Sequence, residues 1–308
     1  MTFAMDFKDM RETRLEDLAT IHPLVTQAAD LFEKLRSFDD TKWAFRGQGG
    51  DWPLTAPIER FARKPGVAED YAMREFMRRI HHYSTNAPHR NDDLEWLALM
   101  QHHGVPTRLL DWTRSAQVAA FFAAESHKPV DSHDRKMPKS IPAFTIWAVD
   151  KDALNAEVKR MLKLTPDTDI SSPEVFRRIF RSQPADDLHF VMAVEPYSLN
   201  ERLAIQQGLF LMGNNLLIPF HNSLANLLLH AKGQRRPSTE WLHKIQVSSG
   251  ARLDVLRTLD KININSATLL PGLDGFCKSL QVAVQIQDSD DWPGIDQTGD
   301  RTNWVRGI

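Results

Sequence analysis

The sequence predicts an α+β protein: a small mixed or antiparallel sheet core with many surrounding helices. Three observations carry that expectation. The run "AFTIWAV" (Ala143 to Val149) is rich in β-branched and aromatic residues, the composition of a strand. The segment "AQVAAFFAAES" (Ala116 to Ser126) is apolar nearly all round, as in a helix buried on most sides. Several such strand-like runs lie amid more abundant helical ones.

Taken in order, Ile21, Leu24, Val25, Ala28, Leu31, Phe32 and Leu35 recur at helical spacing and predict an amphipathic helix over residues 20 to 36. Lys42 to Phe45 reads as a short strand that ends at a glycine-rich turn. Residues 68 to 83 read as a helix with Tyr71, Phe76, Met77 and Ile80 inward. Its five basic positions, Arg74, Arg78, Arg79, His81 and His82, make it the most basic segment. Asn91 to Asp93 signal the start of the next helix, "LEWLALMQHH", where Leu94, Leu97, Ala98 and Gln101 share one face. "GVP" stops it, "TRLLDWT" reads as a strand, and Ser115 is placed to cap the buried helix.

Val130 to Ser140 is a polar loop before "AFTIWAV". Helical pattern resumes from Asp152 to Phe180, broken near Pro166 and Pro173. "LHFVMAVEP" reads as a strand, "NERLAIQQG" as a short helical piece, and "LFLMG" and "LLIP" as two strands. From Ser223 the pattern is mainly helical: "SLANLLLHA", "GARLDVLRTLDKI" and an amphipathic piece around "LDGFCKSL". The tail from Asp288 is polar.

Composition excludes several classes. The net charge of -2 gives no global pull toward a polyanion, so any such binding rests on local patches. A single cysteine, Cys277, excludes an internal disulfide or a cysteine-built zinc site and fits a reducing compartment. No run approaches the ~20 apolar residues of a membrane span, and the N-terminus lacks the signal-peptide layout, so a cytoplasmic protein without a membrane partner is expected. Phosphate-loop, His-Glu-x-x-His, Gly-x-Ser-x-Gly and dinucleotide-fingerprint motifs are absent from the sequence.

Three polar clusters remain. The first joins Arg46 and Gln48 to Trp52. Arg46 has two readings: a structural ion pair, with Asp111 as the partner, or recognition of phosphate or carboxylate by a planar fork of donors beside glycine backbone. The second, "QHHGVPTRLLDWTRS", holds Gln101, His102, His103, Arg108, Asp111, Thr113 and Ser115. One histidine can serve in acid/base work, or both with Asp111 can hold a divalent ion for a nuclease. Gln101, Arg108, Asp111 and Trp112 can equally form a buried hydrogen-bond network. The third is "ERLAIQQG", with Glu201, Arg202, Gln206 and Gln207.

"WAFRGQGGDWPLTAPIER" and "LEWLALMQHHGVPTRLLDWTRSAQVAAFFAAE" resemble the FRG domain, a bacterial and phage module. "ERLAIQQGLFL" and "INSATLLPGLDGFCKSL" resemble its later blocks. The resemblance implies an N-terminal helical arm over 1–40, one FRG domain over 41–287 with a helical insertion near 152–180, and a tail over 288–308. A more distant similarity, to ADP-ribosyltransferases, implies an ADP-ribosyltransferase-like fold and NAD as co-substrate. Arg46 would grip NAD, Thr113 and Ser115 would brace its ribose, and Glu201 or His103 would be the ionisable partner. Gly47, Gln48, Gln101, Arg108, Asp111 and Gln207 would complete the binding set. That similarity implies transfer of ADP-ribose to nucleic acid or protein in toxin or phage-defence biology, without a metal. A nucleotide- or phosphate-binding module without turnover is the alternative.

Overall fold

The computed structural model describes residues 14–38, 41–128, 143–181, 188–198 and 200–287. The expected Val130–Ser140 loop and the polar tail from Asp288 lie outside the described residues, as does the start of the N-terminal arm.

Seven strands form one mixed sheet: β1 (Thr20–Ile21), β2 (Trp43–Gln48), β3 (Leu109–Thr113), β4 (Ala143–Asp150), β5 (Val191–Val194), β6 (Gly208–Gly213) and β7 (Leu242–Ser248). Their order is β1-β7-β4-β2-β3-β6-β5. All neighbours run antiparallel except β1, which lies parallel to β7. Twelve α-helices surround the sheet among the described residues. The first five are α1 (Ala28–Arg36), α2 (Pro57–Phe61), α3 (Pro65–Arg79), α4 (Asp93–His102) and α5 (Ala116–Ser126). Then come α6 (Lys151–Met161), α7 (Pro173–Arg181), α8 (Glu201–Ile205) and α9 (Phe220–Gly233), followed by α10 (Arg252–Asp260), α11 (Ser266–Leu269) and α12 (Leu273–Gln287). No helix among the described residues is long and apolar enough to cross a membrane.

Alternation along β2 divides the core in two. Trp43 and Phe45 pack with α1, α5 and α10 through Leu31, Ala120 and Val255. Ala44 joins the opposite layer, where Trp147 and Val149 meet Leu97 of α4, Leu154 of α6 and Leu224 of α9. The α5 helix is buried along most of its surface, as its all-round apolarity predicts.

Four local expectations are corrected. The helix expected over residues 20 to 36 begins only at Ala28, because Thr20 and Ile21 join β7 and the Pro23 segment follows that strand. The strand expected at Lys42 to Phe45 continues through Gln48, paired with β4 all the way. "LLIP" makes no strand: Asn215 Oδ1 accepts the Leu217 amide in a local turn. Within the expected helical run from Ser223, Leu242–Ser248 is instead the strand β7.

The parallel pairing of β1 with β7 is reinforced by a histidine relay. Lys34 Nζ, which can only donate, bonds His22 Nδ1 at 3.1 Å. His22 therefore carries its proton on Nε2 and donates to His243 Nδ1 at 3.0 Å. His243 in turn donates from Nε2 to the Glu240 carbonyl at 3.1 Å. At the other end of the sheet, Asn155 of α6 bonds both the N–H and the C=O of Ala193 on β5, each at 2.9 Å. That amide closes an edge otherwise open to another strand.

Candidate functional site

β2 is registered with β4 from Trp43 to Gln48, and β3 with β6 from Leu109 to Thr113. Between β2 and β3 there is one registered pair, Phe45 opposite Thr113. Two well-paired half-sheets thus part beyond that pair, and a cleft opens between them. Its volume is about 250 Å3, and Arg46, Gly47, Asp111, Thr113, Phe122 and Ser126 are among its walls. A neighbouring hollow of about 100 Å3 is bounded by Gln101, His102, Asn200 and Phe210. Asp111, Arg202 and Gln206 line both, so the two make one continuous site.

Glycines set one wall. A Cβ on Gly47 would stand 2.0 Å from the Ala119 carbonyl oxygen, and one on Gly49 would stand 2.4 Å from that of Ser126. Both contacts are with α5 backbone, which cannot swing aside. Only residues without a Cβ let β2 lie this close to the helix.

Arg46 bridges the gap. Its Nη1 donates to the Asp111 carbonyl oxygen at 2.5 Å, standing in for a ladder bond. Its Nε is buried and has no hydrogen-bond partner among the described residues. Burial pushes the guanidinium below its ordinary value, Asp111 pulls it back up, and Arg60 adds to the depression. Arginine still keeps its charge throughout the physiological range.

The Asp111 carboxylate is exposed but oriented. Gln101 Nε2 donates to Asp111 Oδ2 and to the Leu109 carbonyl, both at 3.1 Å. Thr107 Oγ1 holds the other end of that amide, donating to Gln101 Oε1 at 2.7 Å. Nearby, Thr113 Oγ1 donates to the Gln206 carbonyl at 2.6 Å and accepts the Ser115 amide at 3.0 Å. Ser115 Oγ accepts the Val118 amide and so caps α5. His102, at the end of α4, is pushed below its ordinary value by burial first and then by His103 and Arg202.

The structure brings Arg46, Gly47, Gln101, Asp111 and Thr113 to the site. Other expected members lie elsewhere. Arg108 is buried, with its backbone amide and Nε bonded to Glu69 at 2.7 and 2.6 Å and its Nη1 to the Asn214 carbonyl. Gln48 Oε1 accepts from Trp147 Nε1. Glu201 is exposed in the first turn of α8, and His103 is exposed just after α4. Gln207 has φ 49°, a left-handed turn residue between α8 and β6 whose carbonyl accepts the Arg114 amide.

Where the sequence points to Glu201, His103 and Gln207, the residues lining the site are their neighbours Arg202, His102 and Gln206. His102 is findable: it falls four residues after Ala98, on the face that carries Gln101. No such signal marks Arg202, Phe122 or Ser126. Among the residues lining the two hollows, Asp111 is the sole carboxylate, facing the permanent cations Arg46 and Arg202. Among the described residues, no group of three or more His, Cys, Asp or Glu side chains is arranged to hold a metal ion.

A cleft at a sheet divergence, with two arginines and one braced carboxylate, is the kind of site that takes an anionic ligand. The family model of the FRG domain matches residues 41–132, and an FRG domain is present in this chain. That stretch supplies Arg46, Gly47, Gln101, His102, Asp111 and Thr113, while Arg202 and Gln206 come from beyond it. Neither the curated proteins nor the solved structures include a significant match to the chain.

Proposed function

We propose that the cleft binds NAD and that the chain acts as an ADP-ribosyltransferase-like enzyme, moving ADP-ribose onto nucleic acid or protein in the cytoplasm. The observation that carries this reading is the buried, unpartnered Nε of Arg46 beside the braced carboxylate of Asp111. A buried donor without a partner costs free energy, and a bound phosphate oxygen would recover it. The cleft, at about 250 Å3, falls just below the ~300–1,000 Å3 of typical ligand pockets. It suits one half of a dinucleotide, with the other half lying along the open mouth.

Arg46 and Arg202 would hold the pyrophosphate. NAD supplies the ribosyl group and its nicotinamide leaving group. Positive charge develops on a ribose as its glycosidic bond breaks, and a preorganised carboxylate stabilises it. Asp111 fills that role in place of Glu201, and Gln101 fixes its orientation. His102, its imidazole kept neutral near pH 7, would accept the proton of the incoming group. A toxin or phage-defence setting rests on analogy of fold.

The test is nicotinamide release from NAD by the wild type, Arg46→Ala, Asp111→Asn and Glu201→Gln, with DNA, RNA and lysate as acceptors and melting recorded alongside. Loss of release in Arg46→Ala and Asp111→Asn while both stay folded, with melting lowered by no more than a few degrees and Glu201→Gln active, supports the assignment. Activity that survives in Asp111→Asn and vanishes in Glu201→Gln overturns it. The position of Glu201 outside the cleft favours a second reading, a nucleotide- or phosphate-binding module without turnover. A melting shift with ADP-ribose and no release under any condition would select that reading.

A further inference from the structure

Residues 60 to 90 carry seven Arg and Lys against three acidic residues, in a chain whose net charge is -2. One of the three acids, Glu69, is buried against Arg108 and contributes nothing to the surface. Arg78 and Arg79 share Glu75. Arg63, Lys64, Arg74 and Arg90 make no ion pair among the described residues.

These cations line two adjoining grooves along α3. One, of about 720 Å3, has Arg74, Arg78 and Arg90, with Arg181 of α7 held by Asp93, around a floor that includes Met73 and Trp96. The other, of about 700 Å3, has Arg63, Lys64, Val67, Tyr71 and Arg74. Asp70 and Arg74 belong to both, so the grooves are continuous. The fifteen residues of α3 make this track about 22 Å long. Tyr71, in the second groove, is 59% exposed, and the rings that flank α3 in the chain, Phe61 and Tyr83, are 78% and 84% exposed. The track also starts near the cleft: in α2, three residues before Phe61, the Ile58 amide donates at 3.0 Å to the carbonyl of Thr107, whose hydroxyl braces Gln101.

We propose that this α2–α3 surface binds single-stranded nucleic acid and leads it toward the cleft. Cations spaced along a groove, four of them without an ion pair among the described residues, follow a phosphate backbone, and an exposed ring among them stacks on bases. A duplex keeps its base faces stacked inside, and an acidic peptide offers no rings. As the route of an acceptor, the track depends on the proposed transferase reading; as a binding surface, it does not.

Fluorescence anisotropy without NAD tests it, using a labelled mixed-sequence single strand of about 20 nucleotides, as DNA and as RNA, its duplex, and polyglutamate. With four phosphate contacts the salt slope is about -3, so affinity drops about fifty-fold from 50 to 200 mM salt. Arg74→Glu and the pair Arg63→Glu/Lys64→Glu are expected to weaken binding at least ten-fold, and Tyr71→Ala about ten-fold. Lys261→Glu, outside both the grooves and the cleft, is expected to bind as the wild type. Equal affinity for duplex or polyglutamate overturns the proposal, as does unchanged binding in both charge-reversal variants. A chain that binds the strand but releases no nicotinamide keeps this surface and loses only the transferase reading.

Discussion

Arg46 on β2 reaches across the sheet to the backbone carbonyl of Asp111 on β3, 65 positions away in the chain. A side chain thus replaces a strand-to-strand bond where the ladder stops. Charge alone does not account for that bridge; the planar fork does, since it can serve a carbonyl and a ligand together. Arg46→Lys keeps the charge and loses the fork. The expected result is a fall in affinity for ADP-ribose of ten-fold or more by calorimetry, with melting lowered by only a few degrees.

Arg108 is a different kind of arginine. It is enclosed with Glu69, and its guanidinium lies 4.4 Å from the Phe180 ring centre. Removing one member of a buried pair strands the other, which costs about 3–5 kcal/mol. Arg108→Ala and Glu69→Ala are each expected to lower unfolding free energy by that amount in urea titrations. The double variant should cost clearly less than the two summed.

Two glycines make opposite forecasts. Gly47→Ala would drive a methyl group into the Ala119 carbonyl at 2.0 Å, so β2 or α5 must shift, and a loss of about 2 kcal/mol or more is expected. A methyl group added at Gly66, in the first turn of α3, would meet nothing within 4 Å. Gly66→Ala is expected to stabilise by about 0.4–1 kcal/mol, mainly by restricting the unfolded chain. Thermal unfolding of both variants checks the pair.

The His22 relay makes stability depend on pH. Burial, then Lys34, then His243 press His22 down to about 4, and burial lowers His243 as well. Unfolded histidine titrates near 6.5, so between that value and about 4 the unfolded chain binds more protons than the folded one. Stability is therefore full above pH 6.5 and declines as pH falls through this window. His22→Gln is expected to flatten the slope of melting temperature against pH between 6.5 and 4, measured against wild type.

Much of this architecture is legible in the sequence because the signals are local. The all-apolar α5 and the Asp92 and Ser115 caps each depend on a few adjacent residues. β7 is hidden by Lys244, which occupies an inward position, pairs with Glu16 and Asp51, and lies over Trp147. A buried lysine breaks the alternation by which a strand is recognised. Glu69 disguises the inner face of α3 in the same way, while Tyr71 stands outside. In the site, the five residues of α8 are too few to fix a helical face, so residue type alone points to Glu201 and Gln207 rather than Arg202 and Gln206.

The single Phe45–Thr113 pair has a consequence for hydrogen exchange. In most proteins the middle strands of a sheet are the last to trade their amide protons with solvent, since only global unfolding frees them. Here the parting lies between the fourth and fifth of seven strands. Amides that β2 and β3 turn toward the cleft have no ladder partner across it, so the sheet carries a fast-exchanging seam through its own centre. A ligand seated there would slow that seam and leave the flanking ladders as they were, which makes exchange at Gly47 and Asp111 a direct reporter of occupancy.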